Sequence, residues 1–197
     1  MDMQPVVLVG AGGHARSVAN AIGLSPARFV DANEDEDFLS GYAGERVVVA
    51  VGYVGEGDPR ESVRRRVINR YAQVGVAFGT LIAHDSSVAP DAAIGAGSVV
   101  MTRAVVDTGA RIGMHAVINI GATIGHDAEL GENVNVALGA VVSGGVSLGD
   151  NVFVGAGAVL RQGVRIVANA VIGMGAVVVS DITEAGTYVG CPARRVR

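Results

Sequence analysis

The chain has 197 residues, of which half are hydrophobic and 17% are charged, and its formal net charge at pH 7 is −4. This length can bury a core in one or two domains, and the acidic balance with scattered arginines gives no basic footprint for nucleic acid. Gly, Asp, Asn or Arg interrupts every apolar run before the roughly 18 residues that a membrane span requires, so we expect no membrane insertion.

The first predicted elements lie in PVVLVGAGGHARSVANAIG, residues 5–23. An apolar run at 6–9 predicts a strand, and Ala15, Val18, Ala19 and Ile22 have helical spacing. The turn between them, Gly10-x-Gly12-x-x-Ala15, is a variant of the dinucleotide-binding fingerprint. Backbone N–H groups at the start of a helix favour phosphate, so the turn is a candidate phosphate loop.

Further short elements follow up to residue 80. A second strand precedes Asp31, a third spans 47–51 and ends at Gly52, a polar helix runs through Arg70, and a last strand covers 75–78. The basic run 64–66 follows several acidic residues, which favours a solvated helix face. The unit of about 75 residues is half of a complete dinucleotide fold, which disfavours an NAD-linked enzyme because the nicotinamide half is lacking.

A repeat of six residues governs the chain from Ile82 to Val178. All 17 positions at this step are Ile, Val or Leu, seven of the following positions are Gly, and 16 of the 17 positions four places on are Ala, Ser or Val. This period fits a hexapeptide β-helix, in which three six-residue sides close a coil of 18 residues. We expect the aliphatic residue to point inward, the small residue to let coils stack, and glycine at the second place to supply backbone freedom at the turn.

The repeat and the small first domain together resemble the left-handed β-helix acyltransferases. The more specific resemblance is to the nucleotide-sugar and sialic-acid acetyltransferase group, including the bacillosamine-pathway N-acetyltransferases. It implies an α/β half-Rossmann domain over residues 1–80 that binds the nucleotide sugar, and an all-β left-handed parallel β-helix over 81–197 with a C-terminal cap at 180–197. It also implies a homotrimer with the acyl-donor sites between subunits, acetyl-CoA as co-substrate and no metal.

The resemblance assigns the substrate site to the first domain. Gly12, Gly13 and His14 would lie against the diphosphate or sugar, Asp31 near the base or ribose, and Gly52 at the pocket rim. His14 as a cap of the helix and Asp31 in an Asx turn are structural alternatives.

The pair His126-Asp127 is the candidate catalytic centre. His126 is third in the repeat that begins at Ile124, which places it at an accessible corner. A neighbouring carboxylate fixes the tautomer of an imidazole and stabilises its protonated form, which suits the removal of a proton from an attacking amine. The run NIGATIGHDAELGENVNVALG, residues 119–139, resembles the family motif, which implies that His126 is the general base and Asp127 its orienting acid.

The resemblance also implies a set of acetyl-CoA contacts. Asn119 would lie near the acetyl group, and the backbone N–H of Gly144 would face the thioester carbonyl; the remaining contacts are Asn135, Gly157, Ala158, Met174 and Gly175. Asn135 stands where the family commonly has a second histidine, and asparagine can hydrogen-bond but cannot titrate. We assign structural roles to the other two histidines, His84 and His115.

The leading interpretation is therefore an acetyl-CoA-dependent N-acetyltransferase of a nucleotide-linked amino sugar in bacterial surface-glycan biosynthesis. O-acetylation of a sialic acid or related sugar is the alternative reaction, and a catalytically silent solenoid that binds ligand is the alternative outside the enzymes. The single cysteine, Cys191, cannot form an internal disulfide, which favours a reducing compartment and hence the cytoplasm.

Overall fold

A computed structural model describes residues 6–23, 28–52 and 62–196. The described residues up to 80, named here the N-terminal unit, contain a parallel sheet in the order β2-β1-β3. The strands of the unit are β1 (Val6–Val9), β2 (Arg28–Val30) and β3 (Arg46–Val49), and its helices are α1 (Gly13–Ala21), α2 (Glu36–Ser40) and α3 (Val63–Gln73).

The two longer helices of this unit cover opposite sides of its sheet. Val7, Val9 and Val47 point towards α3, where they pack with Val67 and Tyr71. On the other side, strand residues and α1 share an apolar cluster with the first coils of the repeat; its members include Leu8, Val18, Val48, Leu81, Val99 and Met101. The N-terminal unit is thus attached to the repeat by a continuous core.

The structure of this unit differs from the sequence-based expectations in one strand and in the exposure of one basic run. The expected strand at 75–78 is a single bridge between Phe78 and Val47. The run 64–66 is not a solvated face: Arg64 is 2% exposed and Arg65 is half-buried, whereas Arg66 is exposed. Arg64 is buried because main-chain carbonyls distant in the sequence accept its hydrogen bonds, among them the carbonyl of His115.

The hexapeptide repeat forms a parallel β-helix of two-residue strands. In chain order the strands are β4 Leu81–Ile82, β5 Ser87–Val88, β6 Ala93–Ile94, β7 Val99–Val100, β8 Val105–Val106, β9 Arg111–Ile112, β10 Val117–Ile118, β11 Thr123–Ile124, β12 Glu129–Leu130, β13 Asn135–Val136, β14 Val141–Val142, β15 Ser147–Leu148, β16 Phe153–Val154, β17 Val159–Leu160, β18 Arg165–Ile166, β19 Val171–Ile172 and β20 Val177–Val178.

Every third strand belongs to the same sheet, which gives the β-helix three flat faces. Face 1 contains β4, β7, β10, β13, β16 and β19, face 2 contains β5, β8, β11, β14, β17 and β20, and face 3 contains β6, β9, β12, β15 and β18. Paired residues are 18 apart throughout, as Ile118 with Val136 and Ile124 with Val142 show. The expected coil of three six-residue sides is therefore present, without a slip in register.

The interior of the β-helix is built from two positions of the repeat. The aliphatic residue points inward, and the fifth-place residue also lies in the core, where Ala116, Ala122 and Ala128 are fully buried. The small side chain thus fills the narrow corner of the core rather than separating coils at the surface.

Glycine is required at the second place of the repeat for a reason other than the expected backbone freedom at the turn. Their backbones are not in the left-handed region; instead, a Cβ on Gly125 or Gly131 would overlap the backbone of the next coil. The left-handed residues lie two places later, at Gly121, Asp127 and Asn133 for example. Close approach between coils, and not turn conformation, therefore requires glycine at the second place.

The chain ends in an antiparallel hairpin that closes face 1. The strands β21 (Thr187–Val189) and β22 (Arg194–Arg195) pair with each other, and β21 continues the ladder from β19. This hairpin covers the open end of the last coil, as a solenoid requires. None of the helices in residues 6–23, 28–52 and 62–196 is long and apolar enough to cross a membrane.

Candidate active site

The His126-Asp127 pair lies on the edge between faces 2 and 3, named here edge 2–3. The side chains are 51% and 73% exposed, and Nδ1 of His126 is 3.0 Å from Oδ2 of Asp127. Asp127 adopts a left-handed backbone with φ of 56°, a conformation that aspartate tolerates better than most residues. The carboxylate engages Nδ1, so that Nε2 is the ring nitrogen left for a reacting group.

Two glycines in neighbouring coils leave room for this pair. A Cβ on Gly144 would overlap Nε2 and Cε1 of His126, and a Cβ on Gly109 would overlap Oδ1 of Asp127. The backbone of Gly145 also donates to the carbonyl of His126 at 2.8 Å. Gly109 was not among the predicted site residues, although its position 18 residues before Asp127, one coil length, places it next to the pair.

Gly144 presents its backbone N–H at the edge beside the imidazole. Within the described ranges this N–H has no hydrogen-bond acceptor, although the carbonyl of the same residue accepts from Gly163. An N–H next to a base is the arrangement that stabilises an oxyanion formed during acyl transfer.

The other predicted coenzyme contacts do not lie beside His126. Asn119 is on the edge between faces 1 and 2 (edge 1–2), where its side-chain oxygen accepts from the backbone N–H of Ile120 at 2.8 Å. Asn135 is 7% exposed on face 1, between Val117 and Phe153 of the neighbouring coils. Asn119 thus has the turn-forming contact expected of a structural residue, and Asn135 is distant from the base.

Three of the remaining predicted contacts share edge 1–2 with Asn119. Gly157 and Gly175 are left-handed turn residues there, and Met174 beside them is 81% exposed. Ala158 is fully buried in the core, so it has no surface for a coenzyme contact in the single chain. Apart from Asn135 and Ala158, the predicted coenzyme residues thus occupy two edges that flank face 2.

The predicted substrate residues all line one cleft in the N-terminal unit. The cleft has a volume of about 600 Å³ and its walls include Gly12, Gly13, His14, Asp31 and Gly52. It opens at the carboxyl ends of β1, β2 and β3, where α1 and α3 begin. Nucleotides bind at this end of open parallel sheets, and helix N-termini favour their phosphates.

Two titratable residues of the cleft have defined surroundings. Asp31 accepts from the backbone N–H of Asn33 at 2.9 Å, which is the Asx turn considered above. His14 does not cap α1, whose N-cap residue is Gly12. Burial and, secondarily, the charge of Arg64 lower the pKa of His14 to about 4, and its Nε2 is buried without a hydrogen-bond partner among the described residues. His14 is therefore a neutral imidazole at pH 7 with one buried ring nitrogen that lacks a partner among the described residues.

The cleft and the catalytic pair lie on opposite sides of the molecule. The N-terminal unit packs on face 1 through Leu81, Val99 and Met101, whereas His126 lies on the edge shared by the other two faces. In a three-sided prism that edge is the one opposite face 1. The two sites of a single chain therefore do not face each other.

Comparison with known proteins identifies the repeat and the whole fold. The hexapeptide repeat of succinyl-transferase matches residues 123–162 and 145–180. No curated protein sequence gives a match. The repeat and the parallel sheets fit a left-handed β-helix acetyltransferase. The residues of the described part contain no cluster of three or more His, Cys, Asp or Glu that could hold a metal ion.

Several solved structures match over nearly the full length. The acetyltransferase domain of PglB from Neisseria gonorrhoeae FA1090 has 30% identity and a TM-score of 0.85, over 98% of this chain and 100% of that one; a second structure of it contains acetyl coenzyme A. PerB from Caulobacter crescentus, in complex with CoA and GDP-perosamine, has 28% identity and a TM-score of 0.84, over 99% and 98% of the chains. WeeI from Acinetobacter baumannii AYE, at 23% identity and a TM-score of 0.73 over 98% and 99%, shows the same fold.

Proposed function

This chain belongs to the hexapeptide-repeat amino-sugar N-acetyltransferase family, and from this membership we propose its function. The chain is an acetyl-CoA-dependent N-acetyltransferase of a nucleotide-linked amino sugar, and it serves bacterial surface-glycan biosynthesis in the cytoplasm. The observation that carries this proposal is the exposed His126-Asp127 pair packed against Gly144. The solved relatives with acetyl-CoA, or with CoA and GDP-perosamine, support the choice of co-substrates.

His126 acts as the general base in this reaction. Asp127 accepts a hydrogen bond from Nδ1–H, which leaves the lone pair on Nε2. As the sugar amine attacks the thioester carbon, a C–N bond forms and Nε2 takes a proton from the nitrogen. The C–S bond then breaks, and the proton passes from the imidazolium to the CoA thiolate.

Gly144 stabilises the intermediate of this reaction. The attack converts the thioester carbonyl oxygen into an oxyanion, and the backbone N–H of Gly144 lies beside the base without a described protein acceptor. A preorganised N–H aimed at developing charge costs no rearrangement during the reaction, which is why such groups accelerate acyl transfer.

The N-terminal unit, within the proposed domain 1–80, binds the nucleotide sugar as half of a dinucleotide fold. The N–H groups of Gly12 and Gly13 face the diphosphate at the start of α1, and the neutral His14 in the cleft wall lies against a phosphate or sugar oxygen. Asp31 contacts the ribose or base, and Gly52 leaves space at the rim. The β-helix domain, 81–197, supplies the acetyl-transfer edge.

The active enzyme is a homotrimer in which each site is shared between chains. Edges 1–2 and 2–3 carry different parts of the coenzyme site, so one chain supplies His126 and Gly144 while its neighbour supplies Met174 and Gly175. The outward side of face 2, between these edges, is an apolar column that includes Val105 and Val159, which are 37% and 38% exposed. A closed ring of three copies covers this column and brings a cleft to each base.

A thiol-release assay tests this function. The protein is mixed with acetyl-CoA and with nucleotide-linked 4-amino sugars, nucleotide-linked 3-amino sugars or free sialic acid, and the acetylated product is identified by mass. Thiol release with a nucleotide-linked amino sugar is the expected result. Release with sialic acid alone would establish O-acetylation, and no release with any acceptor would favour a silent solenoid.

The same assay tests the base. His126→Ala should lose at least about 100-fold in turnover, the usual size of a general-base contribution, and should keep the trimer. His84→Ala removes an exposed histidine of the first coil and is the matched control. An unchanged rate for His126→Ala would remove this imidazole from the mechanism.

A further inference from the structure

Arg64 is a buried cation that the proposed chemistry does not use. It lies in the first turn of α3, immediately after Val63 in the wall of the cleft, and only 2% of its surface is exposed. A positive charge in the first turn of a helix is unfavourable against the helix dipole, and burial of a charge adds a desolvation cost. A residue retained at such a cost is a candidate for a specific role.

The guanidinium of Arg64 joins the two parts of the molecule. Nη1 donates to the carbonyls of Val49 and Val51 at the end of β3, the second at 3.1 Å. Nη2 donates to the carbonyl of His115 at 2.8 Å, and Nε donates to Oδ1 of Asn133 at 3.2 Å. Two acceptors thus belong to the N-terminal sheet and two to the edge between faces 3 and 1 (edge 3–1).

The hydrogen bonds of Arg64 connect the wall of the cleft with a ladder of asparagine side chains on the β-helix. Val51 and the adjacent Gly52 line the cleft, so the Val51 carbonyl that Arg64 binds belongs to the cleft wall. Asn133 continues a ladder along edge 3–1, in which Nδ2 of Asn133 donates to Asn151 and Nδ2 of Asn151 donates to Asn169, each at 3.0 Å. The ladder anchors the β-helix end of the connection to successive coils.

No carboxylate of the described residues neutralises Arg64, since its acceptors are three main-chain carbonyls and one amide. Its charge therefore stands behind a cleft whose opening is also formed by the N-termini of two helices. An uncompensated positive charge there favours an anionic ligand over a neutral one.

We propose that Arg64 is a positioning residue for the nucleotide sugar: it fixes the cleft wall at Val51–Gly52 against the β-helix and supplies positive charge behind the site of the diphosphate. This inference rests on the proposed function and extends it to a residue that makes no contact with substrate. Its consequence is that changes at Arg64 alter binding of the nucleotide sugar more than they alter acetyl-CoA binding or the chemical step.

The first test compares Arg64→Lys with Arg64→Met. Lysine keeps the charge but cannot reach four acceptors, whereas methionine removes both functions in a side chain of similar length. We expect Arg64→Lys to raise the KM for the nucleotide sugar about tenfold, and Arg64→Met to raise it further, the sizes expected for lost hydrogen bonds to a charged group. The turnover number and the KM for acetyl-CoA should change less than about twofold. Arg65→Met, at the next position of α3, is the matched control.

The second test approaches the connection from the β-helix and does not depend on whether the Arg64 variants fold. Asn133 has φ of 54°, so Asn133→Gly fits the backbone and removes one acceptor of Arg64. Asn169→Gly makes the same change on the same edge two coils away, at φ of 64°, without an Arg64 contact. We expect the KM for the nucleotide sugar to rise about threefold in the first variant and to stay unchanged in the second.

Calorimetric titration with GDP and UDP separates this inference from the proposed function. A wild-type protein that binds a nucleotide but transfers no acetyl group would refute the function, and the Kd values of the variants would still test Arg64. Equal Kd and KM values in wild type, Arg64→Lys and Asn133→Gly would overturn the inference, even if their melting temperatures fell. A wild-type protein that binds neither nucleotide would overturn both.

Discussion

The imidazole of His126 has room on the edge of the β-helix because Gly144, in the next coil, has no side chain. We predict that Gly144→Ala displaces the ring from its place beside Asp127 and lowers turnover by about tenfold to a hundredfold, because small misplacements of a catalytic group are costly. The melting temperature should change little, since the edge is exposed. Steady-state rates and thermal melts measure the two effects.

Gln162→Ala is the control for this substitution, because residue 162 occupies the same place one coil further along. It should leave the rate unchanged. Full activity in Gly144→Ala would show that neither the ring position nor the N–H of Gly144 matters for acetyl transfer.

At this scale the sequence predicted the exposure of the candidate base better than it predicted the burial of Arg64. The position of His126 in the repeat correctly predicted an accessible corner, because the six-residue period alone determines which way a side chain points. Arg64 was assigned to a solvated face, since only local charges were visible, and it is buried by acceptors such as the carbonyl of His115 that lie far away in the chain. Hydrogen bonds to residues far away in the chain leave no trace in the local pattern of charges.

The N-terminus of α1 provides the second prediction. Gly12 has φ of −78° and open space where a side chain would stand, so Gly12→Asp fits and adds a favoured N-cap residue. The added carboxylate should repel the diphosphate and raise the KM for the nucleotide sugar about tenfold or more, while the melting temperature is kept or raised. Gly12→Asn is the neutral control of equal size, and an equal KM in the two variants would contradict a phosphate site here.

Edge 3–1 provides a prediction about acid stability. His115 is buried against Phe78, and burial together with the charges of Arg64 and Arg65 lowers its pKa to about 4. The unfolded chain takes up this proton near the ordinary histidine pKa of about 6.5. The histidine therefore penalises folding as the pH falls from about 6.5 to about 4, and the penalty is absent above this range. His14, whose pKa is lowered likewise, adds to the effect.

His115→Asn tests this effect, because asparagine continues the ladder formed by Asn133 and Asn151 and does not titrate. Between about pH 7 and pH 4.5 the wild type should lose about 2 kcal/mol more free energy of unfolding than the variant. Urea unfolding at several pH values measures the difference. Parallel losses in the two proteins would show that His115 is not the group responsible.

The elements themselves were largely predictable, with errors where packing decides. The strand at 6–9, the helix after it and all the hexapeptide strands follow from apolar spacing. The strand expected at 75–78 forms only one bridge, at Phe78, because the preceding turn brings a single residue beside β3. The glycines at 125 and 131 were attributed to turn conformation, whereas the approach of the next coil explains them.

For the whole molecule, the separation of cleft and base makes a complementation experiment decisive. His126→Ala lacks the base and Gly12→Asp binds the nucleotide sugar weakly, so each protein alone should have about a tenth of wild-type activity or less when the nucleotide sugar is well below its wild-type KM. Mixed rings should recover roughly a third of wild-type activity, because a ring of three that contains both variants has an intact base beside a neighbour's intact cleft at one site in three. Purification by two different tags isolates the mixed rings for assay.

This experiment has a clear contrary result. If the base and the cleft of one chain served the same site, no mixed ring would contain an intact pair, and activity would not return. Mass measurement of the wild-type protein in solution is the companion test, and a monomer at assay concentration would contradict the shared site.

The architecture of the β-helix was predictable because an unbroken period constrains every coil in the same way. The arrangement of the N-terminal unit on face 1 was not, since it depends on the cluster around Leu81, Val99 and Met101 and on Arg64. These residues read as ordinary repeat and helix positions in the sequence. Their partners become visible only when the two parts of the molecule are seen together.

The constant register of 18 residues has a consequence for how such a chain can change in length. Each coil has the same pattern of hydrogen-bond donors and acceptors on its top and on its bottom. Duplication of one coil beyond residue 163 would therefore lengthen the rod by about 4.8 Å, one strand spacing, and would leave the three edges aligned. The pair His126-Asp127 lies between Gly109 in the preceding coil, next to Asp127, and Gly144 in the following coil, next to His126. Rod length is thus separable from the geometry of the catalytic pair, whereas an inserted coil would move Met174 and Gly175 by one coil relative to His126.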